Sequence, residues 1–261
     1  MKNKKNLIAA IPVVLFLVGW EILARNKVVN QALFPPPTVI AVELADLFFK
    51  GLPVQSELLN HVGETLVRVG LSFSLGLLVG MILGVAMGLS RLTYFFFNPL
   101  ITMLMPIPGI ALAPLFIVWF GFGNETIIPL GVLSAFFPVV YTTVAGVRSV
   151  DRQLVQAAQI MGASRWKVIS SVYLPWAAVY VFNGMKLGLA RCWMTVIAVE
   201  FIAATNWGLG YLILSSSDNM RADIVYGGIF LLIVIYFVLE RGVIHTLENR
   251  TIARWGMIHS T

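Results

Sequence analysis

The sequence predicts an all-α membrane protein with six spanning helices, and three observations carry that expectation. Of 261 residues, 59% are hydrophobic and 11% charged, with mean hydropathy +0.88. A water-soluble domain has no means of hiding that much apolar surface. A hydrocarbon core of about 30 Å calls for roughly 20 apolar residues per helix, and stretches of that length recur along the chain. The Lys and Arg residues stand at the ends of the apolar runs and form no stripe. A net charge of +6 therefore reads as membrane orientation and not as a nucleic-acid surface.

The expected spans are Leu7 to Ala24, Val62 to Leu89, Phe96 to Phe120, Ile127 to Val147, Trp176 to Ala204 and Ile224 to Ile244. Lys2, Lys4 and Lys5 before the first apolar run have the outline of a secretory signal. No small-x-small cleavage site follows, however, and Glu21-Ile22-Leu23 continues the helix, so a first span is expected. After it, Phe34-Pro35-Pro36-Pro37 opens an amphipathic run, Val39 to Phe49, that reads as a helix on the membrane surface. Residues 1–60 thus form a first helix with an external elbow, and 61–261 a five-helix core.

The second span carries Gly70, Gly76, Gly80, Gly84 and Gly88, a small-residue ridge that predicts close helix packing. In the third, Pro106, Pro108 and Pro114 remove backbone donors and predict a bend or break facing protein or a water-filled path. Orientation follows from the basic residues. With the N-terminus inside, eleven fall on the cytoplasmic side (Lys2, Lys4, Lys5, Arg91, Arg148, Arg152, Arg165, Lys167, Arg241, Arg250, Arg254) and four outside (Arg25, Lys27, Lys50, Arg221). Both termini are then cytoplasmic. A single cysteine, Cys192, rules out an intrachain disulfide, and the scattered His61, His245 and His259 give no metal cluster.

The longest inner connection, 148–175, has room for two short helices. Asp151 is placed to cap the first, Gly162 to end it in the left-handed conformation, Ser164 to cap the second, and Pro175 to terminate that one. Its sequence, QAAQIMGASRWKVISSVYLP, resembles the inner loop of the permease subunits of ABC importers: Glu-Ala-Ala, three residues, Gly, nine residues, Ile-x-Leu-Pro. Gln156, Ala157, Ala158, Gly162, Val172, Leu174 and Pro175 occupy the corresponding places, with Gln156 replacing the acidic residue and Val172 the isoleucine. LFPPPTVI, GVAMGLS, MPIPGIALAPLFIVWFGFG and AVEFIAATNWGLGYLI extend the resemblance to the branch for taurine, aliphatic sulfonates, nitrate and bicarbonate. Look-alikes of that branch carry vitamin precursors or aromatic acids.

The resemblance implies a type I ABC importer permease fold in the bacterial inner membrane, working as a homodimer with two ATP-binding cassette ATPases and a periplasmic or lipid-anchored substrate-binding protein. The ATPase-coupling positions it implies are Gln156, Ala157, Ala158, Gly162, Ala163, Arg165, Leu174 and Pro175. The two alanines would seat the loop helix in an ATPase groove, and Arg165 and Lys167 would meet acidic groups there. The chain has no G-x-x-x-x-G-K-[ST] loop, so no cofactor is expected on it. ATP and magnesium belong to the partner, and this subunit is not expected to be an enzyme.

Charges inside spans are costly and are functional candidates by default. Arg191 is the expected contact for an anionic substrate, because a guanidinium presents a fixed fork of donors to sulfonate, nitrate or carboxylate oxygens. Glu200, Trp193, Thr195 and Asn183 share that span as candidate path residues, with helix packing the competing reading for the last three. Glu200 lies nine residues beyond Arg191, about 13 Å along the axis and half a turn round, too far to pair with it in one chain. A structural ion pair for Arg191 therefore needs another helix or a second subunit. Lys186 is placed to snorkel, and Arg68 has no assigned role. Two rival classes are a secondary transporter, which also uses broken helices, and an intramembrane enzyme with Glu200 as base. The first lacks an inverted repeat, the second an accompanying nucleophile or metal set.

Overall fold

In a computed structural model the described residues, 2–26, 30–49 and 57–245, are helical apart from short connections and include no strand. Lys27, Lys50, Arg250, Arg254 and His259 lie outside them. The helices are α1 (Lys2–Arg25), α2 (Pro37–Phe49), α3 (Glu57–Leu89), α4 (Arg91–Leu104), α5 (Ala113–Phe120), α6 (Asn124–Arg148), α7 (Arg152–Ile160), α8 (Arg165–Val168), α9 (Leu174–Ala203), α10 (Leu209–Asp218) and α11 (Ala222–Leu239). Two compact units result, one from Met1–Glu64 with Asn206–Val234 and one from Thr65–Thr205 with Ile235–Thr261.

In the first unit Tyr226 receives Trp20 edge-on, ring centroids 5.2 Å apart, and Phe34 at 6.0 Å. The elbow helix α2 begins at Pro37, where a missing N–H costs nothing. Its Thr38 N–H and hydroxyl donate to Glu21, which also pairs with Arg25. Arg221 pairs with Glu43 at 2.9 Å and Asp223 at 3.0 Å. Helix α10 was not anticipated: at ten residues, with Ser215, Ser216 and Ser217 near its end, it is too short and too polar to read as a span.

The second unit is built around α6. Gly76, Gly80, Gly84 and Gly88 of α3 sit against Ala135, Val139, Thr143 and Val147 of α6, two matching four-residue periods. A Cβ on Gly84 would lie 2.6 Å from Thr143 Cβ, so the approach requires glycine. Gly70, expected in the ridge, stands apart from this seam: a Cβ there would meet open space. On α9, Gly184 and Gly188 approach Val139 and Ala135 in the same manner, so α6 is clasped between two glycine-bearing helices.

The prolines of the third span break it. α4 ends at Leu104, a 3₁₀ turn covers Gly109–Leu112, α5 follows, and the two parts are bent by 89°. Among the described residues three helices are long and apolar enough to cross a membrane, Glu57–Leu89, Asn124–Arg148 and Ala222–Gly242, and the bent pair makes a fourth if it is one span. α9 has 30 residues and carries Lys186, Arg191 and Glu200.

Candidate functional site: an exposed loop and a cavity at the broken helix

Both features lie in the second unit. In the 148–175 loop, the Asp151 carboxylate accepts the Gln153 N–H at 2.8 Å and caps α7. Gly162 adopts φ +79°, and its N–H reaches Gln159 O at 2.9 Å while the Ala163 N–H reaches Ala158 O at 3.0 Å, closing the helix with paired reversed hydrogen bonds. Ser164 caps α8 through the Lys167 N–H at 3.4 Å. Pro175 does not terminate that helix. A five-residue π turn, Ile169–Tyr173, carries the chain into α9, where Pro175 stands in the first turn. Proline has no N–H for the carbonyl four residues back, and the wider π turn absorbs the loss.

Gln156, Ala157 and Arg165 are exposed, and so is Leu174; Ala158 instead points inward at 8% exposure. The loop's largest bare apolar surface comes from residues outside the expected coupling set. Ile160 is 86% exposed, Met161 81% and Trp166 80%. Their apolarity beside Gly162 was the available signal: three large hydrophobics around a turn have no reason to face water unless something covers them.

Deeper in the unit, α9 separates its candidates by face. Asn183, Leu187, Arg191 and Met194, spaced four, four and three residues apart, form an exposed stripe. Glu200 is fully buried. It takes a hydrogen bond from Arg68 Nη1 at 2.8 Å and from the Thr65 hydroxyl at 2.9 Å, while Arg68 Nε donates to Asn124 Oδ1 at 2.6 Å. The partner of Glu200 is therefore Arg68, which the sequence left without a role. Trp193 is buried 6.1 Å from the Tyr236 ring. Thr195 is bridged to Ser134 of α6, hydroxyl to hydroxyl, at 2.8 Å.

The break in the third span faces this helix. A cavity of about 510 Å³ is bounded by Pro106, Ile107, Pro108 and Gly109 on one side and by Arg191, Met194 and Thr195 on the other. Arg191 and Thr195 stand one turn apart on the same face, and Arg191 has no hydrogen bond or ion pair among the described residues. Glu200, Trp193 and Asn183 are not in the lining.

Apolar helices packed through glycine ridges, a proline-broken segment bounding a cavity, and a capped loop with bare hydrophobics are features of a polytopic membrane protein. The comparisons with known proteins say which kind. The family model described as "Binding-protein-dependent transport system inner membrane component" matches residues 76–243, and the chain belongs to that family, the membrane permeases of ABC transport systems. The taurine transport system permease protein of Escherichia coli is 34% identical over 234 residues, 90% of this chain and 84% of that protein. A putative aliphatic sulfonates transport permease protein of Bacillus subtilis is 31% identical over 245 residues, covering 94% and 86%. A putative ABC transporter permease protein of Methanocaldococcus jannaschii is 32% identical over 241 residues, covering 92% and 90%.

Proposed function

We propose that this chain is the translocation subunit of an ATP-driven importer for small organic sulfonates. Two copies cross the membrane six times each with both termini inside, and each docks one ATPase on its inner loop. The observation that carries the coupling role is the bare cluster of Ile160, Met161 and Trp166 around the Gly162 turn. Short capped helices hold that cluster in one shape, as a groove on a partner requires, and the chain has no phosphate loop of its own. Gln156, Ala157, Arg165 and Leu174 add further exposed surface on the loop, while Ala158, Ala163 and Pro175 shape its support.

The sulfonate class rests on two supports: the names of the Escherichia coli and Bacillus subtilis relatives, and the uncompensated Arg191 guanidinium in a mostly apolar cavity. The path side of α9 then holds Arg191, Asn183 and Thr195, and an external binding protein delivers the solute.

The test is purification of the tagged chain from its native membrane, followed by reconstitution in liposomes with the ATPase that accompanies it. Uptake of a sulfonate that needs internal ATP and a loaded binding protein supports the reading. A chain that purifies without any ATPase and responds to an ion gradient points to a secondary carrier.

A further inference from the structure

We infer that the cavity at the Pro106–Gly109 break is a solute site within this chain that selects sulfonates bearing an apolar tail and no amine, with Arg191 as the anion contact and the Ser134–Thr195 pair as the hydroxyl donor. This rests on the importer reading above and deepens it.

Three side chains in the lining carry polar groups suited to a ligand, Ser134, Arg191 and Thr195, and the rest of the wall is apolar or backbone. The guanidinium supplies a fixed fork for two sulfonate oxygens. The hydroxyl pair supplies the third contact. Whichever of Ser134 and Thr195 donates across their 2.8 Å bond, the other retains a proton that no described residue accepts. The backbone of Gly109 packs against those hydroxyls. A Cβ on Gly109 would stand 2.5 Å from Thr195 Cγ2 and 2.7 Å from Ser134 Oγ, so any side chain there would press into the pair. The proline break thus sets a glycine beside the pair, and the hydroxyl surface that borders the cavity stays free of a side chain from residue 109.

What the lining lacks sets the selectivity. It contains no Asp or Glu among the described residues, and the buried carboxylate of this helix, Glu200, is committed to Arg68 and Thr65. A zwitterion such as taurine would bring an ammonium into an apolar wall with no counter-charge, a desolvation cost that ethanesulfonate, the same molecule without the amine, does not bear. Nitrate or bicarbonate would satisfy Arg191 and leave the apolar wall unused. A tail that covers the wall should strengthen binding roughly fourfold per buried methylene.

The experiment is direct titration of the purified permease–ATPase assembly in lipid nanodiscs, without binding protein, using ethanesulfonate, hexanesulfonate, taurine and nitrate. The expected result is binding in the order hexanesulfonate, ethanesulfonate, then taurine and nitrate, with taurine weaker than ethanesulfonate by about tenfold or more. Arg191→Gln should weaken hexanesulfonate binding by about tenfold or more, with partial recovery in Arg191→Lys, and Thr195→Val by a few-fold. Gly109→Val should remove binding.

Equal affinity for taurine and ethanesulfonate overturns the selectivity. No sulfonate binding by the wild type at millimolar concentration overturns the site. Arg191→Gln that lowers dimer stability while leaving hexanesulfonate affinity unchanged makes Arg191 a structural pair across subunits and likewise overturns it. The importer reading fails separately: it falls only if the wild-type assembly with its binding protein shows no ATP-dependent uptake of any solute.

Discussion

Arg68 on α3 places Nη1 2.8 Å from Oε1 of Glu200 on α9, with both side chains buried and the Thr65 and Asn124 side chains completing the set. Each partner is held by hydrogen bonds besides the ion pair, the condition under which a buried pair is tolerated. The pair ties α3 to α9 beside the start of α6, where the Gly123 N–H also reaches Ala203 O at 2.8 Å.

Breaking this pair from one side should cost more than removing it whole. Glu200→Gln or Arg68→Leu leaves a buried polar group or charge uncompensated, at about 3–5 kcal/mol. The double variant Arg68→Leu with Glu200→Leu should be milder than the sum. Thermal unfolding in detergent checks this, and strictly additive shifts would show that the two residues are uncoupled.

The glycine ridge gives a matched comparison within one helix. Gly84→Val forces side-chain atoms into Thr143, and Gly88→Val into Val147; overpacking of this kind costs about 1–3 kcal/mol and occasionally more. Gly70→Val meets open space and should leave the melting temperature near the wild-type value. If Gly70→Val proved as damaging as Gly84→Val, Gly70 would face a second copy.

At the 148–175 loop, Trp166→Glu together with Met161→Glu should leave the unfolding temperature nearly unchanged, since both side chains are at least 80% exposed, and surface changes of this kind fall within about 0.5 kcal/mol. The same variant should lose its ATPase during purification. Retention of a fully stimulated ATPase would place the docking surface elsewhere.

Gly162→Val tests the shape of that loop independently of its chemistry. At φ +79° a β-branched residue is strained by roughly 1–3 kcal/mol, and the reversed hydrogen bonds of Gly162 and Ala163 would open. Uptake should fall while the membrane helices remain folded by circular dichroism. Gly162→Asn, which tolerates this conformation better, should recover part of the transport.

The local parts of this architecture were legible because their causes are local. The Asp151 and Ser164 caps and the Gly162 turn follow from side-chain hydrogen bonding and steric freedom within a few residues, and the chain break at Pro106 and Pro108 from missing N–H groups. Four of the five glycines in the ridge could be read because a helix puts every fourth residue on nearly one face; Gly70 falls off that register and off the contact. Pro175 was misread because the same residue that ends one helix can begin the next, and the π turn before it leaves no mark in composition.

What the sequence determined by itself is the solvent and the punctuation. A bilayer imposes one demand, apolar length with internally satisfied backbone, and residue types reveal where that demand is met. Only tertiary structure decided which charge answers which. Arg68 and Glu200 are 132 positions apart, and no periodicity links them. The same packing turned Ala158, Trp193 and Glu200 inward and left Arg191 beside a cavity and Trp166 bare. In a helix, spacing tells which residues share a face, but the neighbours that cover that face come from distant parts of the chain, and they decide whether a polar group is a strut or a contact for a guest.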